Sequence, residues 1–145
     1  MNNTWILVSD SSHARIFSVD RDTSSLIEID SLIHPEAKLH EQKITSDLPG
    51  RQAGSSTDSH HAVSDETDPK KYESIEFARF LARHLEDARN KQDYTNLLII
   101  AAPSFLGQLR ELMTAETVKL VSYELDKNLA KHSVDEIRQH LPKRL

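Results

Sequence analysis

The sequence contains no cysteine. Disulfide staples, thiol nucleophiles and cysteine-ligated metal are therefore excluded, as suits a reducing compartment. Long apolar runs are also missing, and no stretch approaches the ~20 apolar residues that a membrane-spanning helix needs. The opening Met-Asn-Asn-Thr-Trp-Ile-Leu-Val-Ser-Asp has no basic region, and the apolar run from Trp5 to Val8 is too short for a signal peptide. These absences predict a soluble cytoplasmic protein with no membrane partner. An excess of positive charge is lacking too, since the net charge is −5. A protein that holds nucleic acid through its phosphates is usually basic on at least one face. General nucleic-acid binding, DNA included, is not expected, although a local basic patch could still dock on RNA. Apolar residues make up only 37% of the 145 residues, somewhat low for one globular domain.

The apolar deficit is local. Residues 49–69 hold only Ala53, Ala62 and Val63 as apolar residues, with two of the three glycines and two of the five prolines. Such a segment cannot bury enough surface to offset its ordering entropy, which predicts a long, mobile polar loop. Loops of this length inside a compact domain are usually functional or disordered. Around it the chain, residues 1–145, reads as a single domain with the order βββ–loop–α–β–α–β–α.

Trp5-Ile6-Leu7-Val8 is a short apolar run ended by the turn formers Asp10-Ser11-Ser12. Ala14–Val19 is rich in β-formers, and in 26–33 Ile27, Ile29 and Ile33 alternate with polar neighbours. Three such strands make an antiparallel meander. Its edge could pair with a second copy, giving a homodimer. Phe77, Leu81, Leu85 and Ala88 recur at helical spacing and predict an amphipathic helix over 72–90, with Pro69 just before it. Leu97–Ala102 is continuously apolar, as expected of a central strand covered on both faces and paired parallel. Pro103-Ser104 opens a helix over 105–113, Leu120–Leu125 reads as the last strand, and Ser133-Val134-Asp135-Glu136 is a capping box. The fold class is α/β, a mixed sheet of about five strands with helices packed on it.

Several segments could carry chemistry. Asp10-Ser11-Ser12-His13 could supply a metal-binding carboxylate, but two-metal nucleases need several carboxylates together, and Glu28 and Asp30 lie on another strand. Nor do residues this close along one turn form a hydrolytic triad, so the segment reads best as a turn. His60-His61 beside Asp58, Asp65, Glu66 and Asp68 has metal-ligand chemistry. Adjacent histidines seldom share one ion, however, and no metal or other cofactor is expected. Ala102-Pro103-Ser104-Phe105-Leu106-Gly107-Gln108-Leu109-Arg110 sits where a central strand meets a helix, the usual crevice for ligands in open α/β sheets. Free amides there could hold an anion. With one glycine and no Gly-Lys-Ser/Thr it is not a phosphate loop. Phe105, Leu106 and Leu109 read as packing residues, and Gly107 as a point of close helix–sheet approach. Trp5 and the Phe77–Ala88 stripe read as core.

Nearly the whole chain resembles the bacterial family called "protein required for attachment to host cells". The resemblance is carried by Thr4–Asp10, Ala14-Arg15-Ile16-Phe17, His34-Pro35-Glu36-Ala37, Ser46-Asp47-Leu48-Pro49-Gly50-Arg51, Asp68-Pro69-Lys70, Glu76–Ala82 and Ala102–Arg110. Leu48 stands where that family often has arginine. The family is similar, more distantly, to the middle domain of archaeo-eukaryotic peptide release factors, which implies an RNase H-like fold. In release factors the corresponding loop carries a catalytic Gly-Gly-Gln. Here it reads Gly50-Arg51-Gln52, and arginine cannot easily adopt the backbone that a second glycine allows. The family resemblance implies a non-enzymatic cytosolic interaction domain that affects attachment indirectly. The release-factor resemblance implies a translation-linked protein instead, with the ribosome or RNA as partner. Arg51 would then meet phosphate and Gln52 a polar group or water. The binding positions expected on these grounds are Asp47, Pro49, Gly50, Arg51 and Gln52 on the loop, with Asp10, Arg15, Pro103, Phe105, Gly107 and Arg110 beside it. No position is expected to be catalytic.

Overall fold

A computed structural model of the protein describes residues 3–34 and 69–145. Its strands are β1 (Thr4–Ser9), β2 (His13–Val19), β3 (Leu26–Ile33), β4 (Asn96–Ala101) and β5 (Val121–Leu125). Its helices are α1 (Pro69–Asn90), α2 (Pro103–Leu112), the single turn α3 (Ala115–Val118) and α4 (Val134–Gln139). The strands form one sheet in the order β3-β2-β1-β4-β5. β1 runs antiparallel to β2 and parallel to β4, and β4 runs parallel to β5. This is the expected mixed sheet.

The apolar runs explain the layering. Leu7, Leu97 and Ile99 point to one face, where Phe77, Leu81 and Leu85 of α1 and Phe105 and Leu109 of α2 cover them. Ile6, Val8, Leu98 and Ile100 point to the other, beneath Leu129, Ile137 and Leu141 around α4. β1 and β4 are thus buried on both sides, as continuous apolar strands must be. The expected α1 stripe is fully realised, and Phe77, Ala78, Leu81, Ala82, Leu85 and Ala88 are all buried. The helix begins at Pro69 rather than Tyr72, because proline's missing N–H costs nothing at the first helical position. The capping box at Ser133 and Glu136 forms as read from the sequence.

Three details were not legible in the sequence. Ile27 and Ile29 do not face the core; each is 47% exposed. The ladder pairs Ile16 with Asp30 but Phe17 with Glu28, so Ile29 is the extra residue of a bulge on the edge strand. Such a bulge breaks strict alternation. Together with Glu28 and Asp30 it also discourages edge-to-edge pairing of two copies. Trp5 is half-buried, with its ring tilted against Tyr94 at 5.1 Å. The turn α3 has no counterpart in the sequence reading; it is held by the Thr114 side chain accepting from the Thr117 amide.

Glu86 of α1 joins α3 to this frame. It accepts hydrogen bonds from the Thr114 hydroxyl (2.8 Å), the Thr117 hydroxyl (2.9 Å) and Arg89 Nη2 (2.8 Å). The Arg89 bond, then the two hydroxyls, hold its carboxyl down from 4.5 to about 2. Buried Tyr94 donates to the Leu85 carbonyl (2.8 Å), and burial pushes its phenol up to about 12.

A lowered folded-state pKa means that the unfolded chain takes up a proton first. The stabilisation from Glu86 is therefore complete above about pH 4.5 and fades as the pH falls toward about 2. Glu86→Gln is expected to lower the urea midpoint at pH 7 and to narrow its gap to wild type steadily between those pH values. A gap independent of pH would contradict this assignment.

Candidate functional site: the carboxyl edge of the parallel strands

The parallel strands β1 and β4 end side by side, and the Ala102 amide donates to the Ser9 carbonyl (3.2 Å). Both described segments that flank residues 35–68 also meet this edge. β3 ends beside the start of β2, with Ile33 opposite His13, and α1 starts here before running back toward β4.

The turn from β1 to β2 is built by its own side chains. Asp10 Oδ1 accepts from the amides of Ser12 (2.9 Å) and His13 (2.8 Å). Ser9 Oγ donates to the carbonyls of Asp10 (2.8 Å) and His13 (2.9 Å). This is the local side-chain bonding that makes Asp-Ser-Ser a turn former. Ser12 Oγ and His13 Nδ1 lie 2.9 Å apart.

Beneath the turn sits His34, whose amide donates to the Ser12 carbonyl (2.9 Å). Its side chain is buried, it stacks on Phe77 at 5.5 Å, and among the described residues neither ring nitrogen has a hydrogen-bond partner. Phe77 in turn lies 5.8 Å from Phe105. One aromatic column thus ties β3, α1 and α2 together under the edge.

Beside this column, the first turns of α1 and the outer side of α2 enclose a groove of about 490 Å³. Lys71 and Ile75 line one side; Ser104, Gly107, Gln108 and Glu111 line the other. The Ser74 hydroxyl donates to the Gln108 side-chain oxygen and ties the two helices together beside it. Gly107 does not serve close packing, because a Cβ built there meets nothing within 4 Å. The sheet-facing positions of α2 are Phe105, Leu106 and Leu109; Gly107 falls on the opposite side of the turn, where it widens the groove.

The expected binding positions separate into five groups. Asp10 and Pro103 come together at the edge, and Gly107 lines the groove. Phe105 is core, 1% exposed. Arg15 and Arg110 lie elsewhere, and their charges are used within the fold. Arg15 makes a two-pronged bond to Glu28 (3.0 and 3.1 Å) and donates to the carbonyls of Ala130 (3.2 Å) and His132 (2.7 Å). Its guanidinium also lies 5.1 Å from the Phe17 ring centre. Arg110 bonds Glu124 of β5 through Nε (3.2 Å). Asp47, Pro49, Gly50, Arg51 and Gln52 lie outside the described residues, as do His60 and His61. Among the described residues no group of three or more His, Asp or Glu could hold a metal ion, and no helix is long and apolar enough to cross a membrane.

None of His34, Lys71, Ile75 and Gln108 was expected as a binding position; His34 entered only through the family resemblance and Gln108 only within the 102–110 segment. The polar residue after an apolar strand was the available signal for His34. The groove has no local signal, since it exists only once α1 and α2 pack.

Two substitutions test these assignments. Gly107→Ala removes a helix-interior glycine with room for the methyl, and should raise stability by about 0.5–1 kcal/mol in urea titrations. Destabilisation would show that the glycine is packed. Arg15→Met should cost about 1–3 kcal/mol, because it strips hydrogen bonds from a charged group and leaves two carbonyls unpaired. Unchanged stability would release Arg15 for a role in binding.

Comparison with known proteins gives the chain a family. A family profile described as "Protein required for attachment to host cells" matches residues 5–141. An uncharacterised protein of Rickettsia prowazekii (strain Madrid E) is 37% identical over 75 residues, which is 50% of either chain. The chain thus spans about half the length of that curated relative. Among solved structures, the type II variant of the Aquifex aeolicus Ppx/GppA phosphatase superposes with a TM-score of 0.43 at 10% identity. That superposition covers 86% of this chain and 35% of the phosphatase. With the family match running from β1 past α4, the chain belongs to the family of proteins required for attachment to host cells.

Proposed function

We propose that the chain acts in host attachment as a binding domain rather than an enzyme, and that the groove between α1 and α2 is its contact surface. One observation supports this reading above the others. Asp10 and Ser9 at the carboxyl edge are occupied in holding the turn, and Arg15, away from the edge, is held by Glu28 and two carbonyls. The groove beside them is open, has mixed polarity and is widened by Gly107. In this reading attachment is affected indirectly, through a partner inside the bacterium.

Filling the groove tests the proposal. Gly107→Trp has space for its ring and should leave far-UV circular dichroism intact. Bacteria carrying it in place of the wild-type chain should attach to host cells at a small fraction of the wild-type level. Undiminished attachment by a folded variant would remove the groove from the function. The ribosome is the partner implied by Gly50-Arg51-Gln52, and sedimentation at low salt addresses it directly. Binding that survives Gly107→Trp would favour the translation-linked role over the groove.

A further inference from the structure

The opposite, amino edge of the sheet has features that the proposed attachment role does not use. One cavity of about 660 Å³ is lined by residues including Trp5, Arg21 and Asp93. A second, of about 310 Å³, lies between β3 and the end of α1 and is lined by residues including Ile29, Asp87 and Lys91. Trp5 and Asp93 line both, so the two cavities meet along one trough with an aromatic floor. Each falls within the size range of ligand sites.

Three properties of the trough point to one chemistry. The Trp5 ring is held from within by Tyr94 at 5.1 Å, while the residue stays only half-buried. Asp87 and Asp93 are exposed, and among the described residues neither side chain has an ion pair or hydrogen bond. Asp20, which accepts from the Asp22 and Thr23 amides, and Asp30, 3.7 Å from His84, add two further carboxylates, with Arg21 and Lys91 as the permanent cations. Beside them Ile27 and Ile29 are each 47% exposed. An aromatic face next to uncompensated carboxylates attracts a planar cation, because a guanidinium can stack and bond a carboxylate at once. The same charge repels phosphates, so nucleic acid is a poor occupant. Two adjoining cavities and the exposed isoleucines suit an extended chain better than a compact metabolite.

We propose that this trough binds an extended basic peptide segment of a partner protein. An arginine lies on Trp5 near Asp87 and Asp93, and an apolar residue rests on Ile29. The bulge at Ile29 interrupts the free ladder of β3, so recognition depends on side chains rather than on an added strand.

Trp5 is the sole tryptophan, so its emission reads the site directly in the full chain. The probe is an acetylated, amidated hexapeptide of alternating arginine and alanine, compared with its glutamate counterpart. The arginine peptide should change the emission saturably below roughly 1 mM, the weak end of specific affinities. The glutamate peptide should give no saturable change. Asp87→Asn combined with Asp93→Asn, both at exposed positions, should weaken binding about tenfold, which is about 1.4 kcal/mol. No saturable change with the arginine peptide would overturn the proposal. So would an equal response to the glutamate peptide, or an affinity that the double substitution leaves unchanged. Filling the groove with a side chain that does not fluoresce, Gly107→Leu, changes another face, leaves Trp5 the sole indole and should not alter this titration, which keeps the two proposals separable.

Discussion

The parallel pairing of β1 with β4 is the constraint on which the rest of the structure depends. Both strands are apolar along their length, from Trp5 to Val8 and from Leu97 to Ala101. Neither could face water on either side, so each needs a covering layer above and below. α1 and α2 supply one layer and the segment around α4 the other. Losing a Phe77- or Leu81-sized side chain from such an interface typically costs about 2–5 kcal/mol. The same pairing aligns the ends of β1 and β4, which brings the Asp10 turn, the start of α2 and the first turns of α1 to one edge.

Much of this was legible in the sequence, because period and burial carry most of the information. The two-sided strands, the α1 stripe and the Ser133 capping box each follow from local pattern. What was not legible depends on neighbours. The alternation of Ile27 and Ile29 looks like a core face, yet it lies on an edge strand whose bulge is invisible until β2 and β3 are paired. Gly107 looks like a packing glycine, yet helix rotation turns it away from the sheet. Arg15 looks like a free cation, and only the fold brings Glu28 and the carbonyls of Ala130 and His132 to it. Long-range partners of this kind leave no trace at fixed spacing.

The two ends of the sheet differ in character. At the carboxyl edge the polar side chains bond one another and the backbone, which makes the edge stiff and leaves shape as its means of recognition. At the amino edge Asp87 and Asp93 have no ion pair among the described residues and Trp5 stays partly exposed, and the proposed recognition there rests on charge. On the two proposals together, the domain would hold two partners at once, one at each end of the sheet.

The central claim is that the carboxyl edge recognises and does not react. The closest approach to a reactive pair there is Ser12 with His13, hydroxyl to imidazole at 2.9 Å. The most direct measurement is host attachment by bacteria carrying Ser12→Ala together with His13→Ala, with folding verified by circular dichroism. Attachment at the wild-type level is the result this account predicts. Its loss in a folded protein would mean that the edge performs chemistry.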